Sequence, residues 1–147
     1  MTRPAGTGRG ILSSLIRARH GDLTCVLQKD ASINRFDFAG TLTDADLHAC
    51  LRDLWQHPDY VFDGPELYDL RATVADALTA EGVRAIGDLS SAEFEGRPDF
   101  RSAVVTGAPL LFGFARMFGA YIGDRSGNLN VFEDVPSALR WLEEGRP

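Results

Sequence analysis

Hydrophobic and polar positions alternate over residues 32–38. Ile33, Arg35 and Asp37 fall on one side and Asn34, Phe36 and Phe38 on the other, which predicts a β-strand. Residues 24–28 are also strand-like, and Lys29-Asp30-Ala31 suits the turn of a hairpin between the two. The period then becomes helical: Leu47, Cys50, Leu51, Leu54 and Trp55 follow Thr43, an N-cap residue, and the first-turn acids Asp44 and Asp46. His57-Pro58 ends that helix. Residues 66–70 predict a short strand. Residues 80–94 predict a helix with Thr79 as cap and Val83, Ile86 and Leu89 as stripe, although Gly82 and Gly87 each cost up to about 1 kcal/mol relative to Ala. A strand over 101–106, a helix over 109–122 opened by Pro109, a strand over 129–132 and a final helix capped by Asp134 complete the pattern. In that last helix Leu139, Trp141 and Leu142 face inward or nearly so.

The predicted order is β-β-α-β-α-β-α-β-α. A hairpin followed by β-α-β crossovers implies an α/β domain with a mixed sheet of about five strands and an antiparallel edge. The helix over 109–122 stands apart, because Arg116 is its single polar residue. Leu110, Phe114, Met117 and Tyr121 form one stripe, and Leu111, Ala115, Phe118 and Ile122 the adjoining one. The core is expected to take both, which leaves Phe112, Arg116 and Gly119 as the outer strip. Aromatic residues, Met and Arg are enriched in protein interfaces, so this strip is a candidate contact surface.

Charge is unevenly distributed. Residues 1–20 carry Arg3, Arg9, Arg17 and Arg19 and no acid; against a total of −6, the rest of the chain stands at −10. An acidic body argues against nucleic-acid binding, since it offers little to neutralise phosphates. The leader, residues 1–20, is basic and Gly-rich and is expected to be flexible, with Ile11, Leu12, Leu15 and Ile16 on one helical face of an arm; residues 21–147 form the domain. At 147 residues and 44% hydrophobic, one domain with a real core is expected. No run of about 18 apolar residues is present to form a membrane span. Cys25 and Cys50 read as buried thiols of a cytoplasmic protein.

Catalytic constellations are missing. His48 and Cys50 lie two apart on one helix and point in different directions. No Gly-x-Ser-x-Gly elbow occurs, and no Cys-x-x-Cys or metal-spaced histidine pair. The Asp44-Ala45-Asp46 pair is explained by capping rather than by a metal. Gly6, Gly8 and Gly10 lack the strand and Lys-Ser/Thr of a phosphate loop. Thr106-Gly107-Ala108, leading a strand into a helix, is a weak anion-site signal. The chain is therefore expected to be no enzyme, with no cofactor and no metal.

The run 111–118 (Leu-Phe-Gly-Phe-Ala-Arg-Met-Phe), then Val131-Phe132-Glu133-Asp134 and Ala138-Leu139-Arg140-Trp141-Leu142, resembles the SpoIIAA-like (STAS/SEC14-type) bacterial proteins. His57-Pro58-Asp59-Tyr60 and Tyr68-Asp69-Leu70-Arg71 are weaker matches, and the likeness covers about residues 22–145. It implies a single STAS-like domain and two kinds of role. Anti-sigma-factor antagonists of this type bind partner proteins and are switched by phosphorylation of a Ser after the third strand. The SEC14-type cousins hold lipids in an apolar cavity. Here the switch region reads Leu70-Arg71-Ala72-Thr73-Val74-Ala75-Asp76, with no Ser-Gly pair, which puts the switch in doubt; Thr73 and then Thr79 are the nearby hydroxyls. The expected function is a protein-interaction or regulatory module that self-associates as a homodimer. The alternative is a carrier or sensor of a small apolar ligand, a lipid or fatty acid. The residues expected to meet the partner or ligand are Asp69, Arg71, Thr73, Phe112, Arg116, Phe118 and Tyr121.

Overall fold

The first elements among the described residues are three strands, β1 (Ile16–His20), β2 (Leu23–Asp30) and β3 (Ile33–Thr43). The computed structural model describes residues 15–123 and 128–145. The remaining order is α1 (Asp44–Trp55), β4 (Glu66–Ala77), α2 (Ala80–Phe94), β5 (Ser102–Val105), α3 (Pro109–Ile122), β6 (Leu129–Phe132) and α4 (Val135–Glu144). The six strands form one sheet in sequence order. β1, β2 and β3 pair antiparallel, and β3 to β6 pair parallel. The mixed sheet with an antiparallel edge is as expected, and it has six strands among the described residues where about five were predicted.

β1 comes from the region expected to be a leader. Ile16 and Ala18 are buried in the core while Arg17 and Arg19 face solvent, a period of two that suits a strand and not the expected helical arm. The domain therefore starts by residue 16 rather than 21; the flexible Gly-rich stretch with Gly6, Gly8 and Gly10, and Ile11 and Leu12 of the expected arm, lie outside the described residues.

The two sheet faces carry different cores. Asn34, Phe36 and Phe38 of β3 and Glu66, Tyr68 and Leu70 of β4 point toward α1, α2 and α3. Ile33 and Leu67 point the other way and pack with Ala103, Val105 and the α4 residues Ala138 and Leu142. All three predicted side-chain caps form: Thr43 accepts from the Asp46 amide, Thr79 from Gly82 and Asp134 from Ser137. Asp44 does more than favour a helix dipole. It accepts from both the backbone amide and the hydroxyl of Thr79, at 2.8 and 2.6 Å, and so ties the start of α1 to the cap of α2.

β4 runs on to Ala77 rather than stopping at Leu70. Its pairing with β3 slips between Asp37 and Ala39 and again between Thr41 and Thr43. Each slip places an extra residue on β4, a bulge that breaks the alternation on which a strand is recognised. Thr73 and the rest of the region over 70–76 that matches the family's switch consequently lie within a strand.

Candidate functional site

Between the sheet and helices α1, α2 and α3 lies a cavity of about 180 Å³. Its wall is largely apolar, built by Phe38, Trp55, Val83, Leu111, Phe114 and Phe118 among others. Ser90, Asp99 and Asn128, all partly or fully exposed, form a polar rim. The helix over 109–122 supplies one side of the space: Leu111, Phe114, Ala115, Phe118 and Ile122 all line it.

One group on this wall is out of keeping with the rest. Glu66, the first residue of β4, is 1% exposed. Its Oε2 accepts from the Tyr60 hydroxyl at 2.5 Å and from Asn34 Nδ2 at 3.1 Å, and its Oε1 accepts from the Tyr68 hydroxyl at 2.6 Å. Trp55 Nε1 donates in turn to the Tyr68 oxygen at 3.1 Å. Tyr68 is fixed further by stacking on Phe36, ring centroids 4.2 Å apart. Burial drives the Glu66 carboxyl above its ordinary range, and the donors Tyr60, Tyr68 and Asn34 only partly oppose this. Burial and then the Glu66 charge push both tyrosine hydroxyls upward, so they act as donors. Lys29, whose charge favours ionised Glu66, is itself paired with Asp63.

The residues singled out in the sequence divide between places. Phe118 lines the cavity. Asp69 and Arg71 sit on the α4 side of the sheet or at its edge, away from it. The Arg71 side chain clamps Asp69 through two bonds at 3.0 and 2.8 Å, and the Arg71 amide adds a third at 3.0 Å. Arg35 reaches Asp69 at 3.3 Å and Asp37 at 3.1 Å. Burial would raise Asp69, but the bonds and charges of Arg71 and Arg35 outweigh it and hold the carboxyl below its ordinary value. This cluster is satisfied internally. Thr73 likewise spends its hydroxyl on the Leu70 carbonyl at 2.7 Å.

On α3 the expected outer strip is rotated. Gly119 is buried, and a side chain there would meet Leu129 of β6 at 3.1 Å. Phe112 is half-buried. The exposed side carries Leu110 (55%), Gly113, Arg116, Ala120 and Tyr121 (45%). The missing side chain of Gly119 leaves room for Leu129 of β6 against this side of the helix. Tyr121 donates to Asp88 of α2 at 2.8 Å. At the start of α3 the Thr106 hydroxyl accepts the Ala108 amide at 3.2 Å, occupying a group that an anion would need. Cys25 and Cys50 are buried and unpaired as expected. Among the described residues no group of three or more His, Cys, Asp or Glu is placed to hold a metal ion, and no helix is long and apolar enough to cross a membrane.

The sequence reading missed Glu66, Tyr60, Asn34 and Trp55 as a unit. The available signal was an acid and a tyrosine two apart, Glu66 and Tyr68, on one face of a strand otherwise bound for the core.

The fold has a solved counterpart. A crystal structure of an uncharacterized protein of the DUF3478 family from Shewanella loihica PV-4, described as having a SpoIIAA-like fold, is similar over 82% of this chain and 93% of that one, with a TM-score of 0.53 and 18% identity. This chain therefore has a SpoIIAA-like fold, as its sequence resemblance implied. No protein-family model matches the chain, and no curated protein does.

Proposed function

We propose that this SpoIIAA-like domain works by binding rather than by catalysis, and that it holds a small, largely apolar molecule between the sheet and helices α1–α3. The observation that carries the reading is the cavity of about 180 Å³. Close-packed interiors contain few voids larger than a water molecule. Apolar cavities of about 150 Å³ take up a benzene ring. Pockets for drug-sized ligands begin at about 300 Å³, so the space fits a molecule of one ring or a short chain better than a full acyl lipid. Native mass spectrometry on protein purified without detergent, together with a thermal shift on adding propylbenzene, tests this. A bound mass of small size, or a rise in Tm with propylbenzene, is expected. A bare chain whose melting is indifferent to propylbenzene would sink the proposal.

The outer side of α3 supports a second reading, association with another protein or a second copy. Leu110, Arg116 and Tyr121 stand exposed on a helix of which only Leu111 and Gly119 are buried. Such a surface combines apolar, aromatic and Arg side chains, as interfaces do. Sedimentation of the wild type and of Leu110→Glu/Arg116→Glu discriminates: an oligomer that the double substitution dissociates is expected, and a monomer in both removes self-association.

A further inference from the structure

The wall of the cavity narrows the ligand, on the reading that the cavity binds one. Its rings are not scattered. Trp55 and Phe94 stand edge to face with centroids 5.2 Å apart. Phe94 and Phe62 follow at 4.6 Å, and Phe62 and Phe100 at 5.2 Å, again edge to face. All four line the space. Part of the wall is thus a continuous row of rings, drawn from α1, the α1–β4 connection, α2 and the α2–β5 connection. Phe114 and Phe118 of α3 line the space as well. Aromatic rings that meet edge to face or offset gain beyond the apolar area they bury. A flat ring entering the cavity adds a member to the row, whereas a saturated body of the same size gains from buried area alone.

Neither sign of charge finds a partner inside. No Lys, Arg or His lies in the lining among the described residues, so a carboxylate or phosphate would give up its water without a cation to meet it. Of the two acids, Asp99 is exposed at the rim and already has a partner. Glu66 is 1% exposed and bonded to Tyr60, Tyr68 and Asn34, and burial favours its neutral form. An ammonium would be desolvated with no ionised group in the interior to offset the cost, and the pull of ring faces on a cation is small against that loss of water.

We infer that the cavity selects an uncharged aromatic molecule of about one ring, seated against the row formed by Trp55, Phe94, Phe62 and Phe100. The fatty acid considered from the sequence meets neither condition.

Toluene, methylcyclohexane, benzoate and benzylamine share a six-membered carbon ring and differ in flatness and charge. Isothermal titration with each at about pH 7, with propylbenzene as reference and amide NMR shifts to locate the site, tests the inference. Toluene is expected to bind about threefold to tenfold more tightly than methylcyclohexane, although the latter has the larger apolar area. Toluene should shift cavity residues such as Val83 and Leu111, and the two ions should not. Phe62→Leu takes one ring from the row and keeps an apolar side chain, so it should narrow the gap between toluene and methylcyclohexane. The wild-type series decides the matter by itself should that variant fold poorly. Methylcyclohexane binding as tightly as toluene, either ion binding in the cavity as tightly as toluene, or an unchanged gap in folded Phe62→Leu would each overturn the inference and leave the cavity reading standing. If none of the probes binds, propylbenzene included, the cavity reading itself falls and takes this one with it.

Discussion

Glu66 is a carboxyl without water around it, and its energetics have a definite sign. Its ordinary value is 4.5, and in the folded chain burial raises it. Below the ordinary value both states are protonated, and the contribution of Glu66 to stability is fully present. As pH rises from there through the raised folded value, the unfolded chain loses its proton first and stability is lost. Asp69 runs the opposite way: its folded value lies below the ordinary 3.8, so it stabilises above that value and the benefit goes as pH falls through the folded one. Urea unfolding on wild type, Glu66→Gln and Asp69→Asn, carried from about pH 8 down to about pH 2.5 so that it passes below the ordinary aspartate value, should show this. The stability of Glu66→Gln relative to wild type should climb with pH, and that of Asp69→Asn should fall over the acid end. A flat difference for Glu66→Gln would mean that the three donors cancel the cost of burial. Both residues were visible in the sequence, but their roles were not. Asp69 and Arg71 attract attention as a charged pair at a strand end, yet they satisfy each other. Glu66 is unremarkable in one dimension, because its partners at positions 34, 60 and 68 come from three separate stretches.

Helices were the more legible elements. The helices over 80–94 and 109–122 and the strand over 129–132 agree with the pattern to the residue, since caps and prolines mark their ends. Strands were harder where the period of two was short or broken. In β1 the alternation of Ile16, Arg17, Ala18 and Arg19 is overshadowed by the helical spacing of Leu12, Leu15 and Ile16, and in β4 the bulges interrupt it. The glycines within helices show how packing overrides propensity. A Cβ on Gly82 would fall 2.0 Å from Asp44 Oδ1, and one on Gly87 would meet the Tyr121 ring at 2.6 Å, whereas at Gly113 nothing lies within 4 Å. The same substitution should therefore have opposite effects. Gly113→Ala should stabilise by about 0.5–1 kcal/mol, the helix propensity gain at an open site. Gly82→Ala should destabilise by about 1–2 kcal/mol net, because moving Asp44 breaks its two bonds to Thr79. Thermal melting of the two variants checks the pair; a stabilised Gly82→Ala would mean that the tie between α1 and α2 is dispensable.

The cavity belongs to the arrangement rather than to any segment. Apolar lining residues such as Leu111, Phe114 and Phe118, read alone, are core residues, and the pattern assigns them to the interior. Whether those side chains meet or leave a space depends on how far α3 stands off the sheet, and that is set by contacts between elements: Gly119 on Leu129, Gly87 under Tyr121, and Tyr121 bonded to Asp88. Periodicity records which way a side chain faces, not the distance to what it faces. This gives a test in which filling and binding compete. Ala115 is half-buried on the cavity side of α3, with Leu110 and Arg116 on the exposed side. Ala115→Met puts a flexible apolar chain into the space without touching the Glu66 network. It should raise stability by about 0.5–2 kcal/mol, as cavity filling commonly does, and abolish the thermal shift with propylbenzene. Leu110→Glu, on the opposite side of the same helix, should leave that shift intact and act only on association. If Ala115→Met instead binds propylbenzene like the wild type, the ligand does not occupy the space beneath α3, and α3 matters for its outer surface alone.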